Sequence, residues 1–213
     1  MSDNGAAGEN HARFYPPGAR TDNSFANLGQ AGSQIDYGLR WAEVSAAPFH
    51  LFKGTTAEGG ISVPAIIQLP KTLSRQGVER GVARVDDLAP TFLELAGIAL
   101  PSEQTGEAGK HPITGKSILP MLEGKGSSHR DRSLAGELFG NAYYREGDLK
   151  LLGMRPQAGF GDQAQPPQWQ LFDVAQDRGE TNDLAISQPQ TVERLKAAWT
   201  KYARQVGVVF PPR

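Results

Sequence analysis

Asp3, Asn4 and Gly5 put a carboxylate and an amide carbonyl side by side, followed by a residue free to turn. These are hard oxygen donors of the kind Ca²⁺ and Mg²⁺ prefer, and glycine lets the backbone bend sharply behind them. In α/β proteins such ligands sit at the carboxyl end of a parallel strand, so an apolar run is expected just before Ser2. The sequence opens at Met1 without one, and the chain is therefore expected to be the second part of a longer protein. By itself Asp-Asn-Gly also makes an ordinary turn. A second chemical candidate is Lys53, in the stretch Leu51-Phe52-Lys53-Gly54-Thr55-Thr56-Ala57-Glu58-Gly59-Gly60-Ile61-Ser62-Val63-Pro64. A lysine in a Gly/Thr loop that enters a buried strand can turn its ammonium into a cleft and pair with an anion as a compact point charge. The plainer alternative is a solvated surface lysine.

Two other stretches imitate known motifs and fail. Gly109 to Ser117 ends in Gly115-Lys116-Ser117, but five residues separate its glycines where a phosphate loop has four, and no apolar strand precedes it. Ser187-Gln188-Pro189-Gln190-Thr191 begins like the nucleophile motif of a sulfatase but has Thr191 where an arginine is required, so Ser187 reads as a helix cap. The histidines His11, His50, His111 and His129 are scattered without metal-pair spacing. His11 lies close enough to Asp3 and Asn4 in sequence to line the same cleft, or it stands in a solvent-exposed loop.

The elements that would position these groups follow from periodicity. Residues 6–50 carry many glycines and asparagines and read as a long irregular segment, with interleaved aromatics (Phe14, Tyr15, Phe25, Tyr37, Trp41, Phe49, Phe52) that favour a packed functional loop. Val63 to Pro70 is almost continuously apolar and reads as a strand covered on both faces. A helix is expected from Asp86 to about Ala96, capped by Asp86 or Asp87, with Leu88, Phe92 and Leu95 on one face and Gly97 at its end. Residues 101–132 form a polar connector with a short apolar element, Ile118 to Leu122. Runs at 134–139, 142–145, 149–152 and 169–174 then predict a small antiparallel sheet. A last helix from about Pro189 carries Val192, Leu195, Trp199, Tyr202 and Val206 as its apolar stripe and stops at Gly207.

With 213 residues the chain is long enough for a substantial core. Its net charge of −1 leaves no electrostatic footprint for nucleic acid or an anionic membrane, and no apolar run has the length of a membrane span. The absence of cysteine excludes disulfides, zinc-thiolate sites and a cysteine nucleophile within this chain. Nothing in the sequence chooses between cytoplasm and periplasm.

Taken together, Ser2-Asp3-Asn4-Gly5, Lys53 with Glu58-Gly59-Gly60-Ile61-Ser62-Val63-Pro64, Asp22-Asn23-Ser24 leading to Tyr37-Gly38-Leu39-Arg40-Trp41-Ala42, Asp86-Asp87-Leu88-Ala89-Pro90-Thr91, and Trp169-Gln170-Leu171-Phe172-Asp173-Val174 with Asp177, Glu180 and Asp183-Leu184-Ala185 resemble the C-terminal portion of a Pseudomonas-type bacterial arylsulfatase. The resemblance implies an α/β fold: the C-terminal part of an alkaline-phosphatase-like sandwich (residues 1–132, its N-terminal part absent) plus a small antiparallel sheet-and-helix subdomain (133–213). It implies hydrolysis of sulfate esters by a hydrated formylglycine, with a divalent cation, Ca²⁺ or Mg²⁺, holding nucleophile and sulfate. By position Asp3 and Asn4 match metal ligands and Lys53 matches the lysine that contacts sulfate. Formylglycine arises from Cys/Ser-x-Pro-x-Arg, which is absent here; the nucleophile, the other ligands and most of the sheet belong to the missing N-terminal half. The isolated chain is expected to be inactive, and a separately encoded N-terminal half is a possible partner. A phosphate or phosphonate monoester hydrolase of the same superfamily is the alternative within hydrolases, and a non-catalytic partner subunit the alternative outside them.

Overall fold

The computed structural model describes residues 1–2, 4–8, 21–69, 77–100, 113–125, 131–155 and 166–209. They form two compact units, residues 1–65 with 133–213 and residues 66–132.

The first unit is built on a four-stranded antiparallel meander: β1 (Leu134–Leu138), β2 (Asn141–Glu146), β3 (Leu149–Met154) and β4 (Gln168–Asp173), in that spatial order. Two-residue turns fix its register. Phe139 and Gly140 both have positive φ (53° and 81°) between the paired Leu138 and Asn141, the backbone twist that a tight hairpin needs. Gly147, at φ 60°, opens the next turn between Glu146 and Leu149. Both faces of this sheet are covered. One packs on α5 (Pro189–Gln205), where Leu151 and Leu171 meet Val192 and Leu195, and Ala135 and Ala142 meet Trp199 and Ala203. On the other, Leu152, Phe172 and Val174 cluster with Ala57, with Leu51 and Tyr143 against them.

Helix α5 bears out its predicted stripe except at Val206, which is exposed, while Ala203 is buried. Its N-cap is Gln188, not Ser187: Pro189 supplies the first helical residue, and the Ser187 hydroxyl donates to Leu184 O (3.0 Å). Gly207, at φ 73°, closes it, with Val208 N–H returning to Ala203 O (2.9 Å). Trp199 meets Trp169 edge-on, centroids 5.6 Å apart, and its indole N–H donates to Gly136 O (3.3 Å). Trp199→Phe removes that bond and part of the contact, and is expected to lower stability by about 1–2 kcal/mol in urea denaturation followed by circular dichroism.

The segment read as irregular contains α1 (Gly38–Ala46). Only Ala42 and Ala46 of this helix are buried; two alanines one turn apart give too weak a period to be seen in sequence. The aromatics around it are not uniformly packed: Phe25, Tyr37 and Trp41 are exposed, and Phe49 and Phe52 are half-buried. The strand expected over 63–70 is not formed across its described part, 63–69. An apolar run becomes a strand only where a neighbour builds a ladder on its backbone; among the described residues no ladder forms here, and Ile66 is 93% exposed.

In the second unit α3 (Leu88–Leu95) follows a 3₁₀ turn at Val85–Asp87 and ends at Gly97, φ 69°, with Ile98 N–H bonded to Leu93 O (2.9 Å). Its buried residues are Pro90 and Thr91; Phe92 and Leu95 of the expected apolar face are exposed. The short helix α4 (Leu119–Leu122) realises the predicted apolar element at 118–122. Among the described residues no helix is long and apolar enough to cross a membrane.

Candidate functional site

Three backbone hydrogen bonds lay the N-terminal segment against the Lys53 loop. Ser2 N–H donates to Pro64 O (3.1 Å), Gly5 N–H to Gly60 O (3.4 Å) and Lys53 N–H to Ala6 O (3.0 Å). The approach is possible because glycines face one another. A Cβ on Gly5 would collide with Gly59 O, one on Gly59 with Leu51 O, and one on Gly60 with Thr55 O. Thus Glu58-Gly59-Gly60, which opens the single-turn helix α2 (Glu58–Ile61), is a surface on which backbone lies directly on backbone. Asn4 and Lys53, 49 positions apart in sequence, are carried on adjoining segments, each half-buried. Asp3 and His11 lie outside the described residues, as do His111 and His129.

The loop is anchored to the sheet by a buried ion cluster. Lys150 Nζ, fully buried on β3, donates to Glu58 Oε1 (2.9 Å) and lies 2.8 Å from Glu180 Oε1. Glu180 Oε2 accepts the Glu58 N–H (2.8 Å). Tyr143 lies beneath the ammonium, 5.5 Å from ring centroid to nitrogen. His50 Nδ1, a buried nitrogen of a partly exposed ring, is 3.8 Å from Glu180 Oε2. Thr56 Oγ1 adds a donated bond to Ala142 O (3.3 Å). These contacts fix both ends of the turn between Lys53 and Gly60. Sequence reasoning did not find Lys150, because a lysine alternating with leucines in an antiparallel strand ordinarily points to water.

Beside Asn4 opens a cleft of about 570 Å³, lined by Asn4, Ser45, Phe49, Ser62 and Arg178 among others. Lys53 is not among its lining residues. Among the described residues no cluster of three or more His, Asp and Glu is placed to hold a metal. The Asn4 side chain carries a carbonyl oxygen of the kind a hard cation takes, and a six- to eight-oxygen shell would draw its other donors from elsewhere.

The acidic signature near the C-terminus organises turns. Asp173 Oδ1 accepts the N–H groups of Ala175 and Gln176 (3.0 and 3.2 Å), and Asp183 Oδ1 those of Leu171 and Ala185 (3.0 and 2.9 Å). Burial would raise the Asp177 pKa, but the N–H of Asn182 and the hydroxyl and N–H of Thr181 outweigh it and hold the carboxyl below the usual range. In the second unit the Asp-x-x-Pro-Thr motif is a clasp. Asp87 accepts from Lys116 N–H (2.8 Å), Arg132 Nη1 (2.5 Å) and Arg84 N–H (2.7 Å), while Thr91 Oγ1 donates to Asp87 O (2.6 Å) and accepts from Ile118 N–H (3.0 Å). Of the two expected caps, Asp87 stands at the N-cap of α3 without a side-chain cap bond there, and Asp86 makes no cap but contacts Arg84 Nε (3.0 Å) and the Thr114 hydroxyl (3.1 Å). The end of the false phosphate loop, Lys116, is thus spent on structure.

No protein-family model matches the chain. It is 36% identical, over its whole length, to an uncharacterized sulfatase of Schizosaccharomyces pombe, and covers 38% of that protein. Over 51% of the chain it is 36% identical to the arylsulfatase of Klebsiella aerogenes, covering 24% of it. The crystal structure of Ps i-CgsB in complex with k-i-k-neocarrahexaose superposes with a TM-score of 0.58 at 24% identity, over 74% of this chain and 32% of that one. The chain thus spans well under half the length of the relatives it matches. The ordered run of shared motifs, the whole-length similarity and the common α/β architecture agree: the chain belongs to the sulfatase family, with its alkaline-phosphatase-like fold.

Proposed function

We propose that this chain supplies one wall of the active site of an arylsulfatase-type sulfuric ester hydrolase. The observation that carries the reading is the Lys53 N–H bond to Ala6 O, which docks the Lys53 loop beside the Asn4 segment. In this reading Lys53 contributes its ammonium to the sulfate oxygens, where a fixed positive charge lowers the energy of the charge that builds up during S–O cleavage. Asp3 and Asn4 contribute oxygens to a divalent cation, Ca²⁺ or Mg²⁺. Bound there, the cation would act as a Lewis acid toward sulfate. Sequence, motif order and relatives support the ester-hydrolase class. The formylglycine nucleophile comes from another segment, because no Cys/Ser-x-Pro-x-Arg occurs in these 213 residues.

The purified chain alone is accordingly expected to release no sulfate from 4-nitrophenyl sulfate. Supplied with a sulfatase segment that carries Cys-x-Pro-x-Arg, as a co-expressed N-terminal half, it is expected to restore turnover. In that complex Lys53→Ala is expected to lower kcat/KM by about 100-fold or more. Turnover by the lone chain would overturn the division of labour. Restored turnover of phosphate or phosphonate monoesters without sulfate release would replace the sulfatase reading by the phosphoesterase one. Failure of the two parts to co-purify would remove the separate-half partner.

A further inference from the structure

The turn Asp177 to Glu180 is held with more effort than a surface turn requires. Glu180 is a non-glycine residue at φ 52°, in the left-handed region, and only 5% exposed. Such a conformation persists when the surroundings over-determine it, and here they do: Lys150 and the Glu58 N–H grip its carboxylate. Gly179, next to it, lies against Pro48 O. Asp177 is committed to Thr181 and Asn182. What this scaffold presents is Arg178. Its guanidinium carbon lies 4.8 Å from the centroid of the Phe49 ring, and among the described residues lining the Asn4 cleft it is the charged one. Stacking on an aromatic face fixes the plane of a guanidinium and leaves its N–H edge free for two parallel bonds to an oxyanion.

We propose that Arg178 is a specificity-determining residue that binds a second oxyanion, sulfate or carboxylate, carried on the alcohol part of the ester. The proposal rests on the sulfatase reading for the position of the scissile group near Asn4, and adds recognition by Arg178 from the lining of the same cleft. Phe49 orients the guanidinium, and the Lys150–Glu58–Glu180 cluster fixes the turn that carries it. Ser45 and Ser62, which line the same cleft, offer hydroxyls for neutral parts of the ligand.

The test is titration of the 213-residue chain, with Ca²⁺ present, against a monosulfated hexose, a disulfated hexose and a monosulfated hexuronic acid, by calorimetry. At least one ligand with two oxyanions is expected to bind about ten-fold tighter than the monosulfated hexose, as a charge-assisted bidentate pair should. Which of the two does so identifies sulfate or carboxylate as the second group. Arg178→Ala is expected to erase the preference, weakening the doubly charged ligand far more than the monosulfated hexose, and Arg178→Lys to keep only part of it. Equal binding of all three ligands, a preference that survives Arg178→Ala, or no binding of a doubly charged ligand would each overturn the proposal. A preference that depends on Arg178 but is indifferent to Lys53→Ala and to Ca²⁺ would keep the oxyanion site and sink the catalytic reading instead.

Discussion

Lys150→Met is expected to destabilise the unit formed by residues 1–65 and 133–213 by about 3–5 kcal/mol, because it leaves two buried carboxylates facing each other without a cation. Lys150 is fully buried, and Glu58 and Glu180 are each 5% exposed. Neither carboxylate can turn to water without dragging its loop, since Glu58 lies at the start of the glycine turn and Glu180 accepts the Glu58 N–H. Methionine fills much of the volume of the lysine stem, so the loss reports charge more than packing. Urea titration followed by the fluorescence of Trp169 and Trp199 measures it. The triple variant Lys150→Met, Glu58→Gln, Glu180→Gln removes all three charges and is expected to recover a large part of the loss, since a buried ion cluster replaced as a whole is often near neutral. A single variant as stable as wild type would mean that water reaches the cluster. A triple variant no better than the single one would mean that its hydrogen-bond geometry, not its charge, matters.

The four strands and the last helix were legible because each carries its own signal: short apolar runs, the turn at Gly147-Asp148, and the Val192–Leu195–Trp199 stripe; the turn at Phe139-Gly140 was not, since Phe139 reads as the end of the run at 134–139. What was not legible depends on partners distant in sequence. The run at 63–69 has the composition of a strand, but among the described residues no ladder forms on it; Ser2 N–H reaches Pro64 O without extending into one. Phe92 and Leu95 have the spacing of a buried face and are exposed. Conversely, Lys150 looks like a solvent residue and is the most deeply buried charge of its unit, because its two counter-ions come from 92 positions upstream in one case and from the following turn region in the other. In the candidate site, Asn4 and Lys53 were found as residue types; their adjacency came from glycines at 5, 59 and 60 that let two backbones touch. The acidic signature was legible as a pattern, while its work as a set of turn acceptors required the hydrogen bonds.

Asp87→Ala is expected to cost the second unit about 3–5 kcal/mol, the range for removing one partner of a buried charge pair. The carboxylate is fully buried and holds three segments at once: the N–H of Arg84 before the helix, the N–H of Lys116 beyond it, and the guanidinium of Arg132. Alanine would leave two N–H groups and a nearly buried guanidinium without their acceptor. All three tryptophans lie outside residues 66–132, so the loss is read by hydrogen exchange at the Arg84 and Lys116 amides, which should speed up together. The pH dependence separates charge from shape. Burial acts to raise the Asp87 pKa, but the Lys116 N–H, the Arg132 guanidinium and the Arg84 N–H together bring it below its ordinary 3.8. A folded value below the unfolded one means the native state binds the proton less readily, so the stabilisation is complete above the unfolded pKa and is lost as pH falls through the folded one. The gap in protection between wild type and Asp87→Asn is therefore expected to be flat above about pH 5 and to shrink at lower pH. A gap that stays constant on acidification would show that the clasp works through neutral hydrogen bonds, and that the Arg132 pair contributes no net stabilisation.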